Sequence, residues 1–162
     1  MPILSMPHQD RKMKGIHLLI IEEHMAVRNA LETRLQAAQT ISTVAAVNAL
    51  DLGLEYVQAQ KPGVVLLGCR GNRSEELFSL VEAVQQMVKA DTAVIIFAPY
   101  ANEIEREAFL QAGASRYLLK NINTPQLISE IETAVRKKKW PDRLRFSEYA
   151  IHQAHLGIDG IY

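Results

Sequence analysis

Residues 61–100 read KPGVVLLGCRGNRSEELFSLVEAVQQMVKADTAVIIFAPY, and this stretch decides the fold. Two short apolar runs, at residues 64–67 and 93–97, are rich in Val, Ile and Leu, which is typical of strands covered on both faces. Between them a segment opens with Ser74 and two acids, as helices often do. Its apolar residues follow a helical stripe: Leu77, Leu80, Val81, Val84 and Val88. The stretch therefore predicts a strand, a crossover helix and a parallel strand.

The same alternation continues on both sides of this unit. Further apolar runs at residues 16–21, 41–47 and 115–119 predict three more strands, with helical segments between them. Five strands and five helices in this order predict an α/β fold, a doubly wound five-stranded parallel sheet with helices on both faces. We expect a flexible leader at residues 1–14, the domain at 15–139, and an extension at 140–162 with one short helix.

Local signals mark where two of the helices begin and end. Asn102 with Glu105 resembles a capping box, and Gly113 is placed to end the helix that follows it. Thr124 before Pro125 predicts a capping residue followed by proline at the first helical position of the last helix.

The composition excludes several classes of function. The 162 residues suffice for about one domain, and 18 basic against 18 acidic residues give zero net charge, which argues against general nucleic-acid binding. A single cysteine cannot form an intramolecular disulfide. Neither a signal peptide nor a membrane span is evident in the sequence, so we expect a cytoplasmic protein that does not contact a membrane.

In a doubly wound sheet, the functional crevice lies beyond the carboxyl ends of the strands. The chemistry-bearing candidates are therefore the residues just after each strand, among them Glu22, Glu23 and Lys120. The loop GCRGNR, at residues 68–73, carries two arginines but lacks the spacing of a phosphate-binding loop. We interpret it as a solvated turn.

Four of these segments together resemble the receiver domain of two-component response regulators: HLLIIEEHMAVRNAL at 17–31, KPGVVLLG at 61–68, AVIIFAPY at 93–100 and GASRYLLKN at 113–121. The resemblance extends over residues 16–138 and implies the flavodoxin-like receiver fold. It also implies the family's reaction, in which a histidine kinase transfers a phosphoryl group to an aspartate at the end of strand 3. During this transfer, acids after strand 1 hold Mg²⁺, and a hydroxyl after strand 4 and a lysine after strand 5 receive the phosphoryl oxygens.

This chain supplies only part of that pocket. Lys120 matches the lysine, and Glu22 and Glu23 match the acids. The family usually has Asp at the position of Glu23, and the longer glutamate side chain disturbs near-octahedral Mg²⁺ coordination. Gly68 stands at the acceptor position and has neither a nucleophile nor a metal ligand, while Ala98 replaces the hydroxyl. The resemblance therefore implies a pseudo-receiver with a vestigial phosphoryl pocket. We predict no phosphorylation, no enzymatic activity and no cofactor, with the two acids as the only candidate Mg²⁺ ligands.

Other residues near the pocket carry expectations of their own. Tyr117 aligns with the aromatic that switches between exposed and buried positions in receivers, and we expect it to lie inward because Ala98 leaves room. Lys120 is expected to pair with Glu23 in a partly exposed salt bridge worth about 0–1 kcal/mol. Strand alternation should point Cys69 to the opposite face, as a buried small hydrophobe.

We expect the partner to be a protein or a second copy of the chain, bound through helix 4, strand 5 and helix 5 or through the tail. Two alternatives stay open. One is a phosphorelay receiver that uses Glu22 or Glu23 as an atypical acceptor with Mg²⁺. The other is a transcriptional regulator whose basic run at 136–145 contacts DNA. Two observations count against it: these cations also complement the dipole at the end of a helix, and residues 142–162 are too few for a three-helix DNA-binding domain.

Overall fold

Five strands alternate with five helices in the computed structural model, which describes residues 15–71 and 74–138. The strands are β1 Ile16–Ile21, β2 Ile41–Val47, β3 Val64–Gly68, β4 Ala93–Ala98 and β5 Arg116–Leu119. The helices are α1 Met25–Gln36, α2 Leu50–Gln60, α3 Ser74–Lys89, α4 Glu103–Gln111 and α5 Thr124–Lys138. The predicted leader and the C-terminal extension lie outside the described residues. Within the described ranges, no helix is both long and apolar enough to cross a membrane.

The five strands form one sheet in the order β2-β1-β3-β4-β5, and every neighbouring pair is parallel. The predicted doubly wound sheet is confirmed. Strands β3 and β4 each extend one residue beyond the predicted apolar run, to Gly68 and Ala98. At the carboxyl ends of these strands, Gly68 on β3 pairs with Phe97 on β4, and Ala98 on β4 pairs with Leu119 on β5. Gly68 and Ala98 are therefore the last residues of their strands, at the carboxyl edge of the sheet.

Side-chain alternation along the strands divides the apolar residues into two cores. Leu19 and Ile21 face α2, α3 and α4, while Leu18 and Ile20 face α1 and α5. The central strands β1, β3 and β4 are almost wholly buried, as expected for parallel strands covered on both sides. This packing fixes the carboxyl ends of three adjacent strands as a rigid platform for the loops above them.

The ends of the helices follow the predicted signals with one correction. The Asn102 carboxamide accepts a hydrogen bond from the backbone N–H of Glu105 at 3.0 Å, and Gly113 follows α4 with a φ of +111°. At α5, however, the predicted cap was one residue too late. Thr124 is already helical, and the side chain of Asn123 accepts the backbone N–H of Gln126 at 2.9 Å.

Candidate functional site

Three of the predicted pocket residues meet at the carboxyl edge of the sheet. Glu22 follows β1, Gly68 ends β3, and Lys120 follows β5. The backbone N–H of Lys120 donates to the carbonyl of Ala98 at 2.8 Å, which continues the pairing of β4 and β5. Ala98 is fully buried and presents only a methyl group. The sheet order thus brings Glu22, Gly68, Ala98 and Lys120 together at this edge.

The centre of this site is an ion pair between Glu22 and Lys120. Glu22 Oε1 lies 2.8 Å from Lys120 Nζ, and the Glu22 side chain is only 5% exposed. The other carboxylate oxygen, Oε2, accepts the backbone N–H of His24 at 2.9 Å. Oε1 receives no well-angled hydrogen bond among the described residues, so its contact with the ammonium is an ion pair held by charge. Removing Lys120 would leave the nearly buried Glu22 carboxylate without its countercharge, at a cost of about 3–5 kcal/mol, whereas the Lys120 side chain is 23% exposed and would lose less on removal of Glu22.

This pairing corrects one expectation. We expected Lys120 to pair with Glu23 in a partly exposed salt bridge, but Lys120 contacts Glu22 instead. Side chains of successive residues at the end of a strand point in opposite directions. Glu22 therefore turns into the crevice, while the Glu23 side chain stays 56% exposed.

Gly68 leaves the space that the Glu22 carboxylate fills. A Cβ built on Gly68 would lie 2.5 Å from Glu22 Oε1 and 3.0 Å from its Cδ. It would also lie 3.3 Å from the backbone oxygen of Ile21. The carboxylate of Glu22 thus stands against the strand position from which an acceptor side chain would project. The sequence showed that the acceptor is missing at Gly68, but not that a neighbouring acid occupies its place.

The second acid, Glu23, is engaged by Arg70. Arg70 Nε donates to Glu23 Oε2 at 2.7 Å, and a second guanidinium nitrogen pairs with Oε1. Both side chains are about half exposed, so the pair adds little to stability, but it joins the loop after β1 to the loop after β3. Sequence reasoning treated Arg70 as part of a solvated turn. Nothing in the spacing of two residues 47 positions apart indicated that they meet.

A resident Mg²⁺ does not fit these side chains. Mg²⁺ prefers near-octahedral oxygen coordination, with one or two carboxylates from the protein. Glu22 and Glu23 are each neutralised by a cation of the chain itself, and Gly68 contributes no ligand. Among the described residues, no group of three or more His, Cys, Asp or Glu side chains could hold a metal ion.

Tyr117 on β5 lies half-buried against α4. Its ring stacks on Phe109, with centroids 6.4 Å apart and an interplanar angle of 27°. Its hydroxyl oxygen lies 3.2 Å from the backbone oxygen of Tyr100 and 3.3 Å from Glu105 Oε2, and its single hydrogen is shared between these two acceptors. Burial raises the pKa of Tyr117 to about 12, and the negative charge of Glu105 adds to this effect. The hydroxyl is therefore a fixed donor to α4 and to the loop before it.

Cys69 points away from the acceptor position, into the core beneath α3 and α4. It is 4% exposed, and burial, the largest cause, raises the pKa of its thiol to about 11. A thiol with such a pKa is not a ready nucleophile. The sequence-based interpretation of Cys69 as a small buried hydrophobe agrees with this position.

The basic run begins in the last turn of α5, with Arg136, Lys137 and Lys138. Lys138 Nζ donates to the backbone oxygen of Gly63 at 3.3 Å, so part of this charge stabilises the start of β3. The remaining basic residues of the run, from 139 to 145, lie outside the described residues.

Comparison with known proteins gives a consistent family assignment. Residues 18–132 match the family model for the response regulator receiver domain. The "Uncharacterized transcriptional regulatory protein YhcZ" of Bacillus subtilis (strain 168) is 27% identical over 112 residues, which are 68% of this chain and 51% of that protein. The chain thus spans about half the length of this curated relative.

Solved structures share the fold at low sequence identity. A LuxR-family two-component response regulator from Aurantimonas sp. SI85-9A1 superposes with a TM-score of 0.65 and 16% identity, over 87% of this chain and 99% of that one. A CheY-like response regulator receiver domain protein from Methanospirillum hungatei JF-1 gives a TM-score of 0.64 and 16% identity, over 78% and 98%. At this identity, both establish a common architecture.

Proposed function

The chain belongs to the response regulator receiver family, and we propose that it signals through protein contacts without accepting a phosphoryl group. In this proposal it is neither an enzyme nor a Mg²⁺ protein. It works instead as a module with a fixed pocket. We also propose a cytoplasmic location, because a single cysteine gives no sign of an oxidising compartment.

One observation carries this proposal: the Glu22 carboxylate lies over Gly68 and pairs with Lys120. In the family's reaction, the lysine receives phosphoryl oxygens that arrive on the acceptor aspartate. Here the Lys120 ammonium already pairs with an internal carboxylate 2.8 Å away, and that carboxylate is only 5% exposed. An incoming phosphoryl group would have to displace Glu22, and it would still find no carboxylate on Gly68 to attack it.

The remaining pocket contacts support the same proposal. Phosphoryl transfer depends on positioning and on cations that neutralise developing charge. Glu23 is held by Arg70 on the outside of the crevice, and Ala98 has no hydroxyl to orient an oxygen. Each such missing donor can be worth a few kcal/mol of barrier. The pocket therefore holds one arrangement that depends on neither metal nor phosphate.

For the protein contact, we propose the face formed by α4, β5 and α5. Side-chain contacts join β5 to both helices of this face. Arg116 on β5 pairs with Glu130 on α5 at 2.8 Å, and the Tyr117 hydroxyl on β5 bonds to Glu105 on α4. Ile104, on the first turn of α4, is 78% exposed, an unusual degree for a large apolar side chain. A protein partner or a second copy of the chain would cover it.

The test is incubation with acetyl phosphate and Mg²⁺, followed by intact-mass measurement of the protein. We expect no phosphoryl adduct on the unaltered chain. Glu22→Gln and Glu23→Gln serve as matched variants, because each keeps the side-chain shape and removes one possible atypical acceptor. An acid-labile adduct that disappears in one of these variants would refute the proposal and assign the acceptor.

The name of the Bacillus subtilis relative, a transcriptional regulatory protein, favours one second candidate function, a part in transcriptional regulation. In this candidate function, DNA would contact the basic residues described at the end of α5, Arg136, Lys137 and Lys138. Binding of the chain to mixed-sequence duplex DNA should then weaken steeply with salt, and the charge reversals Lys137→Glu and Lys138→Glu should abolish it. Absence of binding at low salt would remove this candidate.

A further inference from the structure

The outer edge of β2 is open. β2 stands at one end of the sheet order, so it pairs with β1 on one side, and no other described strand lies against its second edge. The strand has seven residues, of which Ser42 and Thr43 are exposed and the next four are partly exposed. An edge strand of this length presents a row of backbone donors and acceptors with which another chain can pair.

Alternate residues of β2 direct their backbone groups to this open edge. The N–H of Glu22, just after β1, donates to the Val47 carbonyl at 3.0 Å, which places the backbone polar groups of Val47 on the side of β1. Alternation in a parallel ladder then places those of Val44 and Ala46 on the open side. The side chains of Val44 and Ala46 pack in the core that faces α1 and α5, so these two residues offer a partner their backbone.

Two of the usual protections of an edge strand are missing from β2. Natural edge strands are commonly guarded by charged side chains or proline, or are very short. β2 has neither a charged residue nor a proline, and the whole stretch 35–50 is uncharged. Its one irregularity of pairing lies at its first residues. β5, at the opposite edge of the sheet, is by contrast only four residues long and carries Arg116, which pairs with Glu130.

A second copy of the chain fits this edge. Like charges directly opposite each other destabilise a strand pair, and an uncharged strand can lie against itself without any such repulsion. In an antiparallel arrangement about a two-fold axis, Val44 of each copy would face Ala46 of the other, and each such pair would exchange two hydrogen bonds. Ala45 would then lie opposite its own counterpart, in the more closely spaced type of pair, where a methyl group fits.

We propose that two copies of this chain pair through the outer edges of β2 and join their two sheets into one. The pairing uses the open edge of both copies, so it closes at a dimer. It leaves the face of α4, β5 and α5 free for the contact with a different protein that the proposed function requires. The pairing involves none of Glu22, Gly68 and Lys120, so it stands whether or not the chain accepts a phosphoryl group.

Analytical ultracentrifugation of the full chain over a range of micromolar concentrations tests the pairing. We expect a reversible equilibrium between monomer and dimer. Thr43→Lys places a charge on an exposed position of the open edge and should raise the dimer dissociation constant at least about tenfold. Ile104→Lys is the matched control, because it adds the same charge to the exposed first turn of α4, and it should leave the constant unchanged.

Three outcomes of this experiment would overturn the proposal. One is a chain that stays monomeric at every concentration. Another is growth beyond a dimer, because a two-fold pairing of edges is closed. The third is a response to Ile104→Lys at least as large as the response to Thr43→Lys, since the dimer would then not depend on the edge of β2.

A second variant keeps the proposal testable if Thr43→Lys disturbs the fold. Ala46→Pro removes an N–H that points to the open edge and removes no group that bonds to β1, an orientation in which edge strands tolerate proline. Circular dichroism should show a folded chain, and the dimer dissociation constant should again rise at least about tenfold. A folded Ala46→Pro variant that dimerises like the unaltered chain would contradict the pairing.

Amide hydrogen exchange, measured for single residues by NMR, locates the interface without any variant. As the concentration rises and the dimer forms, exchange at Val44 and Ala46 should slow. Exchange at Ala45 and Val47 should stay slow at all concentrations, because their amides bond to β1 in the monomer as well. Unchanged exchange at Val44 and Ala46 while the dimer forms would place the interface elsewhere and refute the proposal.

Discussion

Replacing Gly68 with alanine should destabilise the protein far more than an alanine in a strand normally would. The new Cβ would lie 2.5 Å from Glu22 Oε1, and the Ile21 carbonyl, 3.3 Å away, blocks escape on that side. Glu22 must therefore swing away from Lys120 and break a nearly buried ion pair. Loss of a partner in such a pair costs about 3–5 kcal/mol, and movement of the freed carboxylate toward water recovers part of this. We expect a net loss of about 2–4 kcal/mol, or roughly 4–16 °C in Tm for a chain of this size.

Urea denaturation followed by circular dichroism measures this loss. Gly63→Ala is the matched control, because a Cβ there would come no closer than 3.8 Å to any neighbour, and it should change stability by less than about 0.5 kcal/mol. In a Glu22→Ala background the clash is gone, so Gly68→Ala should cost at least about 1 kcal/mol less than in the unaltered chain. Additive effects, or equal costs for Gly68→Ala and Gly63→Ala, would refute the assignment of Glu22 to this space.

Three further outcomes follow from the same contacts. Gly68→Asp alone should not be labelled by acetyl phosphate, because Glu22 occupies the space of the new carboxylate. Adding Glu22→Asp makes room for it, and the double variant should be labelled slowly, at a rate roughly a hundredfold or more below that of receivers with a hydroxyl at the position of Ala98. Intact mass measures the labelling, and rapid labelling of Gly68→Asp alone would contradict the steric argument. Burial lowers the pKa of His17 below its ordinary 6.5, so its contribution to stability is complete above that pH and is lost as the pH falls through the folded-state pKa. The urea midpoint should therefore fall more between about pH 7.5 and about pH 5 in the unaltered protein than in His17→Gln, and equal falls would contradict this. Cys69, whose pKa burial raises to about 11, should react with an aromatic disulfide reagent about a hundredfold slower in the folded protein than in urea, and similar rates would show that the thiol is accessible.

Most of the fold could be predicted because its signals are local. Buried parallel strands need continuous apolar runs, and the helices between them need apolar stripes, so the sequence locates both. The Asn102 cap and the terminal Gly113 were found for the same reason. The cap of α5 was placed one residue late, because Asn123 and Thr124 are both good capping residues and only the backbone decides between them.

The membership of the site was predictable, but its pairing was not. The sheet order places Glu22, Gly68 and Lys120 at one edge, and the resemblance to receiver domains implied that these positions share a pocket. Which acid meets the lysine depends on how far the pairing of β1 continues past Ile21, and the sequence does not show that the backbone N–H of Glu22 still donates to the Val47 carbonyl. The contact of Arg70 with Glu23 joins two loops distant in sequence, and neither loop alone indicates it.

The contact between Glu22 and Gly68 also has a consequence for the order in which mutations can accumulate. A side chain at position 68 is tolerated only after position 22 has become smaller or has turned away, so the two positions form an epistatic pair. A library that varies position 68 alone should return almost exclusively glycine. A library that varies both positions opens combinations that no single step from this sequence can reach. Recovery of an acceptor in this pocket therefore requires two changes, of which the first, at position 22, offers no phosphorylation by itself.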